Sequence, residues 1–172
     1  MLRLLLLRHA EAERPAGAID RARPLSQEGL KASQLMGSYI ARSALAPTMA
    51  VVSSALRTQQ TWEQVAPSLQ GDIVLHLEPR LYDASAATIL RVIAETAPTH
   101  RTLLLVGHNP GFHEVAIALS RSGDRSSLAT LRQGLPTGGL VVIEFDLPHW
   151  YGISSAAGQL ERYVTPRSIG AT

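Results

Sequence analysis

Four residues of this 172-residue chain combine types that handle phosphate with positions that could bring them together. Arg8 and His9 end a short apolar run at residues 2–7. Arg57 lies just beyond a second run at 49–53. Gly107 and His108 follow a third at 102–106. Arginine offers a planar fork of N–H donors that matches phosphate oxygens and stays charged. Two of them beside a helix N-terminus make a dianion site. A histidine in such company can bind a metal, act as acid or base, or attack phosphorus itself. A divalent metal fits poorly, because guanidiniums repel it and no carboxylate cluster accompanies the histidines. A neutral imidazole nitrogen beside an arginine-neutralised phosphate is a competent nucleophile. Ser53 and Ser54 lack a paired base and read as helix caps, not nucleophiles.

The elements that must position these residues can be read from the pattern. Short apolar runs suit strands buried on both faces. They predict strands at 2–7, 49–53, 73–77, 102–106 and 140–145, with an edge strand at 160–164. Residues 11–24 hold Pro15, Gly17 and Pro24 and read as a loop. Ser26 caps a helix over 27–42 with Leu30, Met36, Tyr39 and Ile40 inward. Ser53 or Ser54 caps a helix ending at Val65. Ser85 caps one over 86–97, stopped by Pro98. Pro110 suits the first turn of a helix reaching about Ser120, and 128–132 predicts a short helix. The alternation argues an α/β three-layer αβα sandwich with a mostly parallel central sheet. Ligands of such sheets bind beyond the carboxyl ends of the strands. All four residues fall there.

Composition narrows the classes. The length predicts one domain over 1–172. Hydrophobic residues at 45% and charged residues at 17% are globular proportions. The absence of cysteine excludes disulfides, thiolate metal sites and a cysteine nucleophile. Lys31 is the only lysine, which argues against Schiff-base and P-loop lysine chemistry. The arginines are scattered and aromatics reach only 5%, so neither a basic stripe nor a stacking platform for nucleic acid is visible. No apolar run approaches the roughly 18 residues of a membrane span. None reaches the ~7 residues of a signal-peptide core. A cytoplasmic protein without metal or other cofactor is the expectation.

The motifs resemble a known family. Arg8-His9-Ala10-Glu11-Ala12-Glu13 after its leucine run resembles the opening motif of the histidine phosphatase superfamily, which also contains the cofactor-dependent phosphoglycerate mutases. Ser53-Ser54-Ala55-Leu56-Arg57-Thr58-Gln59-Gln60-Thr61 resembles its second motif, and Val106-Gly107-His108-Asn109-Pro110-Gly111 its third. Arg23-Pro24-Leu25-Ser26-Gln27-Glu28-Gly29 and Leu81-Tyr82-Asp83-Ala84-Ser85 are similar to the small SixA-type phosphohistidine phosphatases. The resemblance spans residues 2 to about 146, with motif order and spacing kept. It implies a phosphoglycerate mutase-like fold. It implies that His9 is the nucleophile that becomes phosphorylated, and that Arg8, Arg57 and His108 bind the substrate phosphate. The second nitrogen of His9 is then expected to donate to a backbone carbonyl, and His108 to work protonated, as a further donor.

Two departures matter. Ala10 stands where glycine is commoner, and the acid that ester-cleaving members carry after the third strand has no exact counterpart. Glu78 and Asp83 are the candidate acids. Their default readings are a solvated strand end and a turn residue. An alkoxide leaving group needs a proton in the transition state, whereas the imidazole of phosphohistidine leaves far more easily. The reading is therefore a phosphatase acting on phosphohistidine of a protein, such as a histidine phosphotransfer domain in bacterial signal transduction. The alternatives are a phosphatase of small phosphate esters (sugar or nucleotide phosphates), a mutase, or a non-catalytic phospholigand-binding module, against which His9 itself argues. Glu11 and Glu13 read as loop charges, Glu11 within reach of the pocket mouth. His113 reads as packing or surface, and His76, His100 and His149 carry no signal. Trp62 reads as helix core and Trp150 as a surface anchor for the segment beyond Asp146, which has no match.

Overall fold

The computed structural model describes residues 1–170; the last two residues of the C-terminal segment lie outside them. The leucine run forms β1 (Leu2–Arg8), and its alternation divides the molecule. Leu4 and Leu6 enter one hydrophobic core, Leu5 and Leu7 the other. On the second side lie α1 (Gln27–Arg42) and α2 (Leu56–Val65), contributing Met36, Ile40, Trp62 and Val65. On the first lie α3 (Ala86–Ala94), α4 (Gly111–Leu119) and α5 (Arg125–Gln133), contributing among others Val92, Phe112 and Leu131. Helices cover both faces, so the fold is the αβα sandwich expected.

The remaining strands are β2 (Met49–Ser53), β3 (Val74–Glu78), β4 (Thr102–Gly107), β5 (Ser120–Gly123), β6 (Leu140–Phe145) and β7 (Gly158–Val164). The order across the sheet is β3-β2-β4-β1-β6-β7-β5. Strands β3, β2, β4 and β1 run parallel, and β5 is parallel to β7. Strand β6 is antiparallel to both its neighbours. The sheet is mostly parallel, and β2, β4 and β1 are adjacent. Their carboxyl ends therefore meet, which is what the site requires.

Several local expectations need correction. Strand β7 is internal; the edge on that side is β5, whose sequence Ser-Arg-Ser-Gly has no apolar pattern to reveal it. The buried face of α1 is Gly29, Ser33, Met36, Gly37 and Ile40, while Leu30 and Tyr39 are only half-buried. Glycine is used there for close approach: a Cβ on Gly29 would collide with the carbonyl of Glu11, and one on Gly37 with that of Val65. Helix α3 ends at Ala94, earlier than expected, and Glu95, its C-cap, reaches Arg80. Trp150 is fully buried, and its indole N–H donates to the carbonyl of His100 at 2.6 Å. Among the described residues, no helix is long and apolar enough to cross a membrane.

Candidate active site

The end of β1 is held from three sides. His9 N–H donates to the carbonyl of Gly107 on β4 at 3.0 Å. Gly138 N–H lies 3.1 and 2.9 Å from the carbonyls of Arg8 and His9. Ala10 N–H donates to Thr61 Oγ1 of α2 at 3.1 Å. Ala10 is fully buried, so its methyl group is absorbed by packing. His9 Nδ1 lies 2.7 Å from the carbonyl of its neighbour Ala10. A carbonyl only accepts, so Nδ1 carries the hydrogen and Nε2 keeps its lone pair in the neutral ring. The expected orientation of the nucleophile candidate is thus present.

The His108 ring stands 5.3 Å from that of His9, centroid to centroid. Its Nε2 is 2.7 Å from Ser53 Oγ, and its Nδ1 is 3.4 Å from Arg57 Nη2. A guanidinium only donates, so Nδ1 accepts and Nε2–H donates to Ser53. Ser53 is therefore committed to His108 and caps nothing; Ala55 is the N-cap of α2 and offers no side-chain cap. Arg8 donates through Nη1 to the carbonyl of Leu135 at 3.0 Å. The Nε atoms of Arg8 and Arg57 are buried and have no partner among the described residues. Arg8, His9, Arg57 and His108 together line one cavity of about 390 Å³, with Arg14 and Arg23 also on its wall.

The sequence reading missed Asp20. Its carboxylate takes Arg57 Nη2 at 3.1 Å, Arg23 Nη1 at 3.0 Å and the hydroxyl of Tyr82, while its carbonyl accepts from Arg57 Nη1 at 2.8 Å. The Tyr82 hydroxyl, Arg23 and Arg57 hold its carboxyl well below the usual carboxylate range. Arg21 lies over the Tyr82 ring, 4.4 Å from its centroid, and the Tyr82 ring meets His108 edge-on at 5.5 Å. The only hint in sequence was the neighbouring Arg23-Pro24-Leu25-Ser26 motif.

The comparisons follow this geometry. The family model of the histidine phosphatase superfamily (branch 1) matches residues 4–89, a stretch that includes Arg8, His9 and Arg57. The chain belongs to that superfamily. An uncharacterised protein of Mycobacterium tuberculosis, Rv1276c, is 29% identical over 163 residues, covering 94% of this chain and 100% of that one. A structure from Nakamurella multipartitia, provisionally assigned as the phosphohistidine phosphatase SixA, has a TM-score of 0.83 at 27% identity over 96% of each chain. Within the superfamily this histidine phosphatase is of the SixA type. The mycobacterial glucosyl-3-phosphoglycerate phosphatase Rv2419c shares the fold, with a TM-score of 0.68 at 16% identity over 96% of this chain and 100% of that one.

Neither acid candidate faces the cavity of this phosphatase. Glu78 is buried, but its carboxylate takes the backbone N–H, Nε and Nη2 of Arg80, each at 3.0 Å, and His76 Nε2 at 3.2 Å. Arg80 chiefly, with His76 assisting, pulls its pKa down to about 2. It lines a separate cavity with His76, Arg80 and Glu95. An ionised, fully committed carboxylate has no proton to give, so Glu78 is an anchor for the turn after β3. Asp83 is exposed in a left-handed turn, with φ of 54°. Replacing Glu78 with Gln is expected to leave turnover per folded molecule unchanged. It should lower stability by about 1–2 kcal/mol, the scale of charge-assisted hydrogen bonds. Parallel thermal melts and steady-state assays check both halves.

Both pocket histidines are held neutral at pH 7. Burial first, then Arg57, Arg8 and Arg23, brings the His9 pKa down to about 4. Burial, then His9 and Arg57, brings His108 down to about 3. Burial first, and then the cations around it, oppose the protonated form expected of His108 in the working site. An arriving dianion supplies the opposite charge and raises its pKa. NMR titration should show neither ring protonating above pH 5 without ligand, and His108 shifting upward with vanadate or phosphate. The unfolded chain protonates these histidines near 6.5. Their contribution to stability is therefore complete above that value and is lost as pH falls toward 4 and then 3.

Proposed function

We propose that this phosphatase removes the phosphoryl group from phosphohistidine on a protein through a phosphohistidine intermediate on His9. The observation that carries the reading is a neutral, oriented imidazole set among arginines, with both expected acids committed or remote. Nε2 of His9 attacks phosphorus, the P–N bond to the substrate imidazole breaks, and the leaving nitrogen takes its proton from water. Water then attacks the phosphorus of phospho-His9, releasing inorganic phosphate and restoring the neutral ring. Arg8, Arg57 and His108 hold the phosphoryl oxygens and their charge through both steps, which is most of what phosphoryl transfer asks of a protein. Transfer between two imidazoles is nearly balanced in energy, so a strong general acid is unnecessary. For a stable ester the missing proton is costly.

The test is phosphate release from a phosphohistidine-bearing protein and from a sugar phosphate, an ester whose alkoxide leaving group needs a proton, side by side. Fast release from the first and slow release from the second is the expected outcome. Fast ester turnover would overturn the reading and point to sugar or nucleotide phosphates. Folded protein that binds phosphate but turns over neither would be a phospholigand-binding module.

A further inference from the structure

A second cavity of about 540 Å³ adjoins the one at His9, and Glu11 and Thr137 line both. Its walls come from three segments: Glu28 and Ala32 on α1, the turn at 136–137, and Thr165 to Arg167 after β7. Each wall is tied to the backbone of the nucleophile's own loop. The carbonyl of Glu11 accepts from Ser26 N–H at 2.9 Å, at the N-cap of α1, and Gly29 packs against that carbonyl. Gly138, with φ of 72°, donates to Arg8 and His9, and a Cβ there would meet Pro166. The Thr165 segment is closed by paired bonds between Thr165 and Ser168. The groove therefore stands at a fixed distance from His9.

Its chemistry differs from that of the cavity beside it. The phosphate end is walled by Arg8, Arg14, Arg23 and Arg57. The groove presents the carboxylates of Glu11 and Glu28 over Ala32, Pro136 and Pro166, with Arg167 as its one cation. The Lys31 contact to Glu28, at 3.9 Å between exposed groups, neutralises little. Moving outward from His9, the lining changes from cationic to acidic and apolar. A compact phosphate ester leaves such a groove unfilled. A polypeptide next to the phosphorylated residue fills it with side chains, and a cationic one gains the carboxylates.

Resting on the proposed function, we infer that this groove receives the polypeptide flanking the substrate phosphohistidine and selects a lysine or arginine beside it. It also gives the segment after β7 a place in recognition. The test compares three phosphohistidine substrates: the free amino acid, a peptide with flanking lysine, and the same peptide with flanking glutamate. They are assayed with the wild type and with Glu28→Lys and Ala32→Trp, two exposed or half-buried α1 positions outside the catalytic cavity. The wild type should show a severalfold lower KM for the lysine peptide than for the glutamate peptide. Glu28→Lys should abolish or reverse that preference, and Ala32→Trp should raise KM for both peptides, with free phosphohistidine unaffected by either change. Equal KM values for the two peptides on the wild type, or variants that alter the free amino acid as much as the peptides, would overturn the groove assignment alone. A folded wild type inactive on all three phosphohistidine substrates would overturn the function beneath it, and the assignment with it.

Discussion

His9→Ala is expected to lower phosphate release by at least about 10⁴-fold, as losing a covalent nucleophile typically does. No neighbouring group can replace it. Nδ1 of His108 faces Arg57, and its Nε2–H is spent on Ser53. Ser53 has no base to activate it, since the ring it contacts is the donor in that bond. The fold should survive the change, because the backbone of the loop accepts from Gly138 N–H and donates to the Gly107 carbonyl and the Thr61 hydroxyl, none of which uses the imidazole. Rapid quench at neutral and alkaline pH should trap an acid-labile phosphoenzyme in the wild type and none in His9→Ala. Retained turnover in the variant, with unchanged circular dichroism, would remove His9 from the mechanism.

Arg57→Ala is expected to cost about 10²–10³ in turnover, the loss seen when one preorganised donor to a developing oxyanion is removed. Arg57 is buried and links four groups: the carboxylate and carbonyl of Asp20, the His108 ring and the cavity. Arg57→Lys should recover only part of the loss, since a point charge cannot span Asp20 and a phosphoryl oxygen as a planar fork does. Phosphate or vanadate affinity should fall along with kcat. Arg57 also depresses both pocket histidines, so its removal should move their titration upward while burial keeps it below the ordinary value. A lower kcat with unshifted titration would mean that Arg57 acts mainly by holding the Asp20 loop.

The local elements were legible because the physics that makes them is local. Four apolar runs and the spacing of capping serines located β1, β2, β4, β6, α1 and α3, some to the residue. The alternation of strands and helices implied the layers, and the strand-end rule implied where ligands would bind. That was enough to gather Arg8, His9, Arg57 and His108, since all four are attached to the ends of adjacent strands. Strand β5 and the full extent of α5 escaped, because their sequences are polar and nothing nearby in the chain records what they pack against.

What only the tertiary structure decided were the partners of charged groups. Glu78 has the right residue type beside the right strand, yet Arg80 and His76 claim it from two residues away on either side. Asp20 sits in a proline- and glycine-containing loop without pattern, and Arg57 and Tyr82, distant in sequence, make it part of the site. Ser53 reads as a cap in the sequence and is a histidine partner in the structure. His108 is neutral because burial and cations outweigh its intrinsic basicity. The sequence by itself determined the fold class and the four-residue cluster, since these follow from patterns and attachments along the backbone. The protonation states, the commitment of Asp20 and the groove beside the pocket depend on distances of about 3 Å between segments far apart in the chain, and those exist only once the layers have closed.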